Sequence, residues 1–140
     1  MDATRKKTVL HVDDAPLWRE YVKKLLGDEY EVMSCGDCQS ALAKIRRGGV
    51  DLVILDHLLP GKGPFDLGFD FCVHLKKMHP ELPVIIYTGA WWGVERTDRD
   101  SLQRRTGAAV VFKDVRHPEL DDLHARVNAH LAEPPESTQS

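Results

Sequence analysis

Short apolar runs and amphipathic segments alternate along the chain. Residues 8–12, 30–35, 50–55, 83–87 and 108–112 are the apolar runs, several of them nearly continuous. Runs of this kind and length predict strands covered on both faces, as in a parallel sheet. Helical spacing fills the intervals. Leu17, Tyr21, Val22, Leu25 and Leu26 mark a first helix with Pro16 in its first turn. Asp37 is placed to cap a second, whose apolar face is Ala41, Leu42 and Ile45 and which stops at Gly48-Gly49. Segments 69–78, 94–105 and 118–131 complete the set. A repeated strand-then-helix order predicts an α/β fold, a five-stranded parallel sheet with helices on both faces and right-handed crossovers.

The 140 residues suffice for one domain. Its expected span is 6–132, with 1–5 and 133–140 as flexible termini. A net charge of −3 argues against a nucleic-acid surface. The basic pairs Lys23-Lys24, Arg46-Arg47 and Arg104-Arg105 fall near predicted helix ends, where they complement the helix dipole. Residues 1–8 have no apolar signal core, and no run approaches the roughly 18 apolar residues of a membrane span. With three cysteines and no export signal, reduced thiols and a cytoplasmic setting are expected.

The chemistry sits where the strands end. The first runs into Asp13-Asp14, the third into Asp56, the fourth into Thr88 and the fifth into Lys113. In an open α/β sheet, ligands bind outside the carboxyl ends of the strands, where strand order reverses. In the flavodoxin-like order 2-1-3-4-5 the first and third strands are neighbours, so three carboxylates meet there. Converging carboxylates repel unless a cation intervenes. An all-oxygen donor set favours Mg²⁺, which pairs readily with phosphate. Lys113 adds a movable positive charge and Thr88 a hydroxyl donor. Together these groups suit phosphoryl transfer to an aspartate.

In Asp13-Asp14, in Asp56-His57-Leu58-Leu59-Pro60-Gly61, in Thr88-Gly89 and in Lys113, the sequence resembles a receiver domain of two-component response regulators over about residues 6–132. The resemblance implies a flavodoxin-like (βα)5 fold with Asp56 as phospho-acceptor rather than an enzyme. It also implies Mg²⁺ held by Asp13, Asp14, Asp56 and the Leu58 backbone carbonyl, and phosphoryl oxygens held by Thr88 and Lys113. The implied partners are a histidine kinase or phosphotransfer protein upstream and an unidentified protein target downstream, with no nucleic acid and no membrane. That target is expected to read the face of the fourth helix, fifth strand and fifth helix. With nothing after residue 132 resembling an output domain, a stand-alone receiver is expected.

Several positions depart from the family pattern. Val110 stands where an aromatic usually precedes the lysine by three, and strand alternation makes Phe112 a poor substitute. Lys113-Asp114 replaces the usual Lys-Pro, so a trans bond is expected there. Segment 61–68 is longer than the usual connection and suggests a loop that gates access or meets a partner; it lacks GxxxxGK[ST]. Leu58 and Ala90, unable to position a hydrolytic water, suggest a slowly lost phosphoryl group. Asp13-Asp14 as a plain helix cap is a competing reading. Cys35-Gly36-Asp37-Cys38 spells CxxC but lies away from the expected crevice. Trp91-Trp92 fits either packing or a partner anchor. Two further functions compete: a receiver-like binding module independent of phosphorylation, and a metal-dependent aspartyl phosphatase. The phosphatase is disfavoured by Leu58 in place of a second aspartate.

Overall fold

A computed structural model of the chain describes residues 6–56, 68–89, 103–104, 106–113 and 122–131. The strands are β1 (Thr8–Val12), β2 (Glu31–Cys35), β3 (Leu52–Leu55), β4 (Val84–Thr88) and β5 (Ala109–Phe112). The helices are α1 (Pro16–Leu26), α2 (Cys38–Arg46), α3 (Gly68–Met78) and α4 (Leu123–Leu131). All neighbouring strands pair in parallel, in the order β2-β1-β3-β4-β5. The flavodoxin-like order expected above is the one observed.

The strands form where expected, with ends trimmed by hydrogen bonding. Pro83 has no N–H for the ladder, so β4 starts at Val84 although the Pro83 carbonyl accepts from Val53 N at 3.0 Å. α1 opens with Pro16 in its first turn and ends with Lys23 and Lys24 in its last. Asp37 caps α2, its side chain accepting from Ser40 N at 2.8 Å. Beyond α2, Gly48 and Gly49 take φ of 85° and 88°, conformations a β-carbon makes unfavourable, which is why the helix cannot be prolonged there. Of the fourth predicted helix, Gln103, Arg104 and Thr106 are helical, and Gly107 at φ 71° stops it with its N–H on the Gln103 carbonyl. Its earlier part, segment 61–67 and the Trp91-Trp92 pair lie outside the described residues, as do 1–5, 114–121 and 132–140.

Two apolar layers sandwich the sheet. Leu10, Val12, Val53, Leu55 and Ile86 pack with residues of α2 and α3, including Ala41 and Phe71. Val9, Leu52, Ile54, Ile85 and Tyr87 pack with residues of α1 and α4, including Val22 and Val127. Every residue of β3 and β4 is buried, whereas β2, at the edge, is half-exposed. Ile54→Ala, which hollows the centre of β3, is expected to destabilise the fold by about 2–5 kcal/mol in urea unfolding. Among the described residues, no helix is long and apolar enough to cross a membrane.

Candidate functional site

Strand register builds the site. Val12 pairs with Leu55, so the residues that follow them, Asp13 and Asp56, emerge side by side where β1 and β3 end. Thr88 pairs with Phe112, and the Lys113 N–H continues the ladder onto the Thr88 carbonyl at 2.9 Å. Alternation decides the side. Asp13, Asp56 and Lys113 each follow a residue of the α2/α3 layer, so all three turn toward α1.

Oxygens of Asp13, Asp14 and Asp56 lie within 4.8 Å of one another. Asp13 and Asp56 are buried and Asp14 is exposed, so the trio has a closed floor and an open mouth. Lys113 Nζ, itself buried, donates to Asp13 Oδ2 at 2.8 Å and stands 3.7 Å from Asp56 Oδ2. Asp13 Oδ1 accepts from Ala15 N at 2.9 Å, and the Asp13 carbonyl accepts from Arg19 Nη1 at 2.6 Å. The N-cap of α1 is Ala15, with no side-chain cap, so capping does not account for the acidic pair. Thr88 is buried at the end of β4. Leu58 lies outside the described residues.

The donor set fits a small hard dication. It consists of three carboxylates without nitrogen or sulfur, one of them reaching solvent, with a single lysine against three negative charges.

Burial alone would push the Asp13 carboxyl up; the His11 ring 3.6 Å away, hydrogen bonds from Lys113 and Ala15, and the charge of Lys113 hold it instead at about 2. A folded-state value below the ordinary 3.8 means that Asp13 contributes stability above that pH. The contribution, about 2 kcal/mol, is lost as pH falls through about 2. In chelator, urea unfolding at pH 5 and at pH 2.5 is expected to show most of this loss, and Asp13→Asn to lack that share of it.

Three residues around Lys113 escaped the sequence reading. Its ammonium lies 4.7 Å from the ring centroid of Trp18 and 5.5 Å from that of Tyr87, and those rings meet edge to face at 5.9 Å. His11, inside β1, brings Nε2 to 3.6 Å from Asp13 Oδ2. A polar residue inside an apolar strand was the available signal for His11; nothing in the local sequence marks Trp18 or Tyr87 as neighbours of Lys113. Val110 is buried in the α2/α3 layer and Phe112 packs against the same layer, on the side opposite Lys113. The cysteines are all free. Burial, then Asp37 and Cys35, pushes the Cys38 thiol up to about 11, which leaves CxxC a poor nucleophile.

A doubly wound parallel sheet with an acidic cluster and a lysine at its switch point defines the class of the molecule. The model of the response regulator receiver domain matches residues 9–125, and the chain belongs to that family. A probable transcriptional regulatory protein, TcrX of Mycobacterium tuberculosis, is 39% identical over 82 residues, 58% of this chain and 33% of its own length. The transcriptional regulatory protein AruR of Pseudomonas aeruginosa is 37% identical over 87 residues, again 58% of this chain and 34% of its own. The chain thus spans about a third of the length of these curated relatives, which lends no support to the stand-alone expectation. Among solved structures, response regulator TrrA of Thermotoga maritima, in complex with Mg(2+)-BeF, superposes with a TM-score of 0.71 at 28% identity. The match covers 89% of this chain and 99% of that one. A CheY-like receiver domain protein from Methanospirillum hungatei gives 0.72 at 25% identity, over 89% and 92%.

Proposed function

We propose that this chain is a phosphorylation switch of a two-component or phosphorelay system, with Asp56 as the phosphoryl acceptor. The observation that carries this reading is the convergence of Asp13, Asp14 and Asp56 with Lys113 between the two buried carboxylates. Asp13, Asp14, Asp56 and the Leu58 carbonyl would hold Mg²⁺, which supplies positive charge against the phosphoryl oxygens. An Asp56 carboxylate oxygen attacks the donor phosphorus, forming a P–O bond. The bond from phosphorus to the donor atom breaks, and acetate or a histidine imidazole departs with the electron pair. Lys113 turns from Asp13 toward the transferred group, and the Thr88 hydroxyl donates to one of its oxygens.

The donor would be a histidine kinase or phosphotransfer protein in the cytoplasm. The target is a protein reading the surface near β5 and α4, by a route other than the usual threonine-to-aromatic coupling, since position 110 is Val. Leu58 and Ala90 favour a long-lived phosphoryl group. The test is intact-mass analysis after incubation with acetyl phosphate and Mg²⁺. One added phosphoryl group, mapped to Asp56 and absent in chelator, is expected; no adduct at saturating Mg²⁺ would rule out the proposal.

A further inference from the structure

The described residues contain six buried polar or charged side chains, and four of them, Asp13, Asp56, Thr88 and Lys113, form the site itself. Of the other two, Thr106 accepts from the Ala108 N–H at 3.1 Å. His11 is left: it is fully buried, and neither ring nitrogen has a hydrogen-bond partner among the described residues. A buried imidazole with both nitrogens unmatched costs free energy, whereas leucine would fill much the same space without that loss. Its neighbours in β1, Val9, Leu10 and Val12, are the apolar residues a buried strand calls for.

The ring is not remote from polar atoms. Nε2 stands 3.6 Å from Asp13 Oδ2, the oxygen that Lys113 occupies at 2.8 Å. The other Asp13 oxygen is committed to the Ala15 N–H. Oδ2 is therefore served by one close donor, with a second about 0.7 Å beyond ordinary hydrogen-bond length. The switch proposed above, on which this inference rests, requires Lys113 to leave Asp13 for the phosphoryl group on Asp56. At that moment the buried Oδ2 loses its close donor.

We propose that His11 is a positioning residue for the acidic site: its Nε2–H closes onto Asp13 Oδ2 when Lys113 turns to Asp56, so that Asp13 stays oriented toward the metal in the loaded state. His11 touches neither metal nor phosphoryl group and acts through Asp13. An imidazole always brings at least one N–H, its rigid ring is anchored in a central strand, and a short tilt suffices to close the gap. The relation is that of an outer ligand partner fixing an inner carboxylate.

The first test needs no substitution. Long-range ¹H–¹⁵N spectra of the His11 ring are recorded at one fixed pH in the chelated protein and with Mg²⁺ plus beryllofluoride. Loading is expected to place the proton on Nε2, with a downfield, slowly exchanging signal. The second test measures the Mg²⁺ concentration giving half-maximal phosphorylation by acetyl phosphate. His11→Leu is expected to raise it by about three- to tenfold, with the rate at saturating Mg²⁺ little changed and melting in chelator no lower than wild type. His11→Gln, which keeps an N–H, is expected to recover part of the loss. A ring signal unmoved by loading, or unchanged Mg²⁺ dependence in His11→Leu, would overturn the inference while leaving the switch intact. Failure of the wild-type protein to acquire a phosphoryl group at all would instead remove the switch.

Discussion

Asp56→Asn is expected to reduce phosphoryl incorporation from acetyl phosphate to background, a drop on the order of 10³-fold or more. The amide offers no anionic oxygen to attack phosphorus, and no other carboxylate in the cluster has the same surroundings. Asp13 is held by the Ala15 N–H and Lys113, and Asp14 is exposed. Stability should move the other way. Three carboxylates face one lysine in the metal-free protein, so removing one negative charge relieves repulsion. In chelator the variant should melt no lower than wild type, while its Mg²⁺ affinity falls. Incorporation that persists in Asp56→Asn would place the acceptor elsewhere.

Lys113→Ala has the second largest expected effect, and it separates structure from chemistry. The lysine lies between Asp13 and Asp56 and over the Trp18 and Tyr87 rings, with its side chain 5% exposed. Its loss leaves Asp13 buried beside Asp56 without the ammonium, a change that typically costs about 3–5 kcal/mol. In chelator, urea unfolding should show a loss of that order, and saturating Mg²⁺ should restore part of it by supplying another positive charge. Phosphorylation with metal present should still fall about 10²–10³-fold, because the charge that develops on the phosphoryl oxygens loses its donor. Arginine is expected to rescue poorly, since its planar fork is broader than the ammonium now seated 2.8 Å from Asp13. Wild-type stability of Lys113→Ala in chelator would mean that the ion pairs contribute nothing to the fold.

Much of this was legible in the residues. Val53-Ile54-Leu55 and Val84-Ile85-Ile86 read as buried parallel strands because no polar residue interrupts them, and both are buried throughout. Asp13, Asp14 and Asp56 were legible as a cluster because strand ends in a 2-1-3-4-5 sheet have defined neighbours. Boundaries were less legible: they depend on which backbone groups find partners, so Pro83 and Ala108 were read one residue too generously. The surroundings of Lys113 were not legible. Trp18 sits on a helix and Tyr87 inside a strand, and nothing local in either segment says that both rings flank one ammonium. His11 was not legible, because its meaning lies in a 3.6 Å separation from Asp13 that depends on how β1 ends.

The most direct measurement is a crystal structure of the protein grown with Mg²⁺ and beryllofluoride. One ion is expected in the acidic cluster, held by Asp13, Asp14, Asp56 and the Leu58 carbonyl. The beryllium should be bonded to an Asp56 carboxylate oxygen, with Lys113 moved from Asp13 onto a fluoride. An ion bound away from these three carboxylates, or Lys113 turned out to solvent with Asp56 unmodified, would contradict the proposed switch.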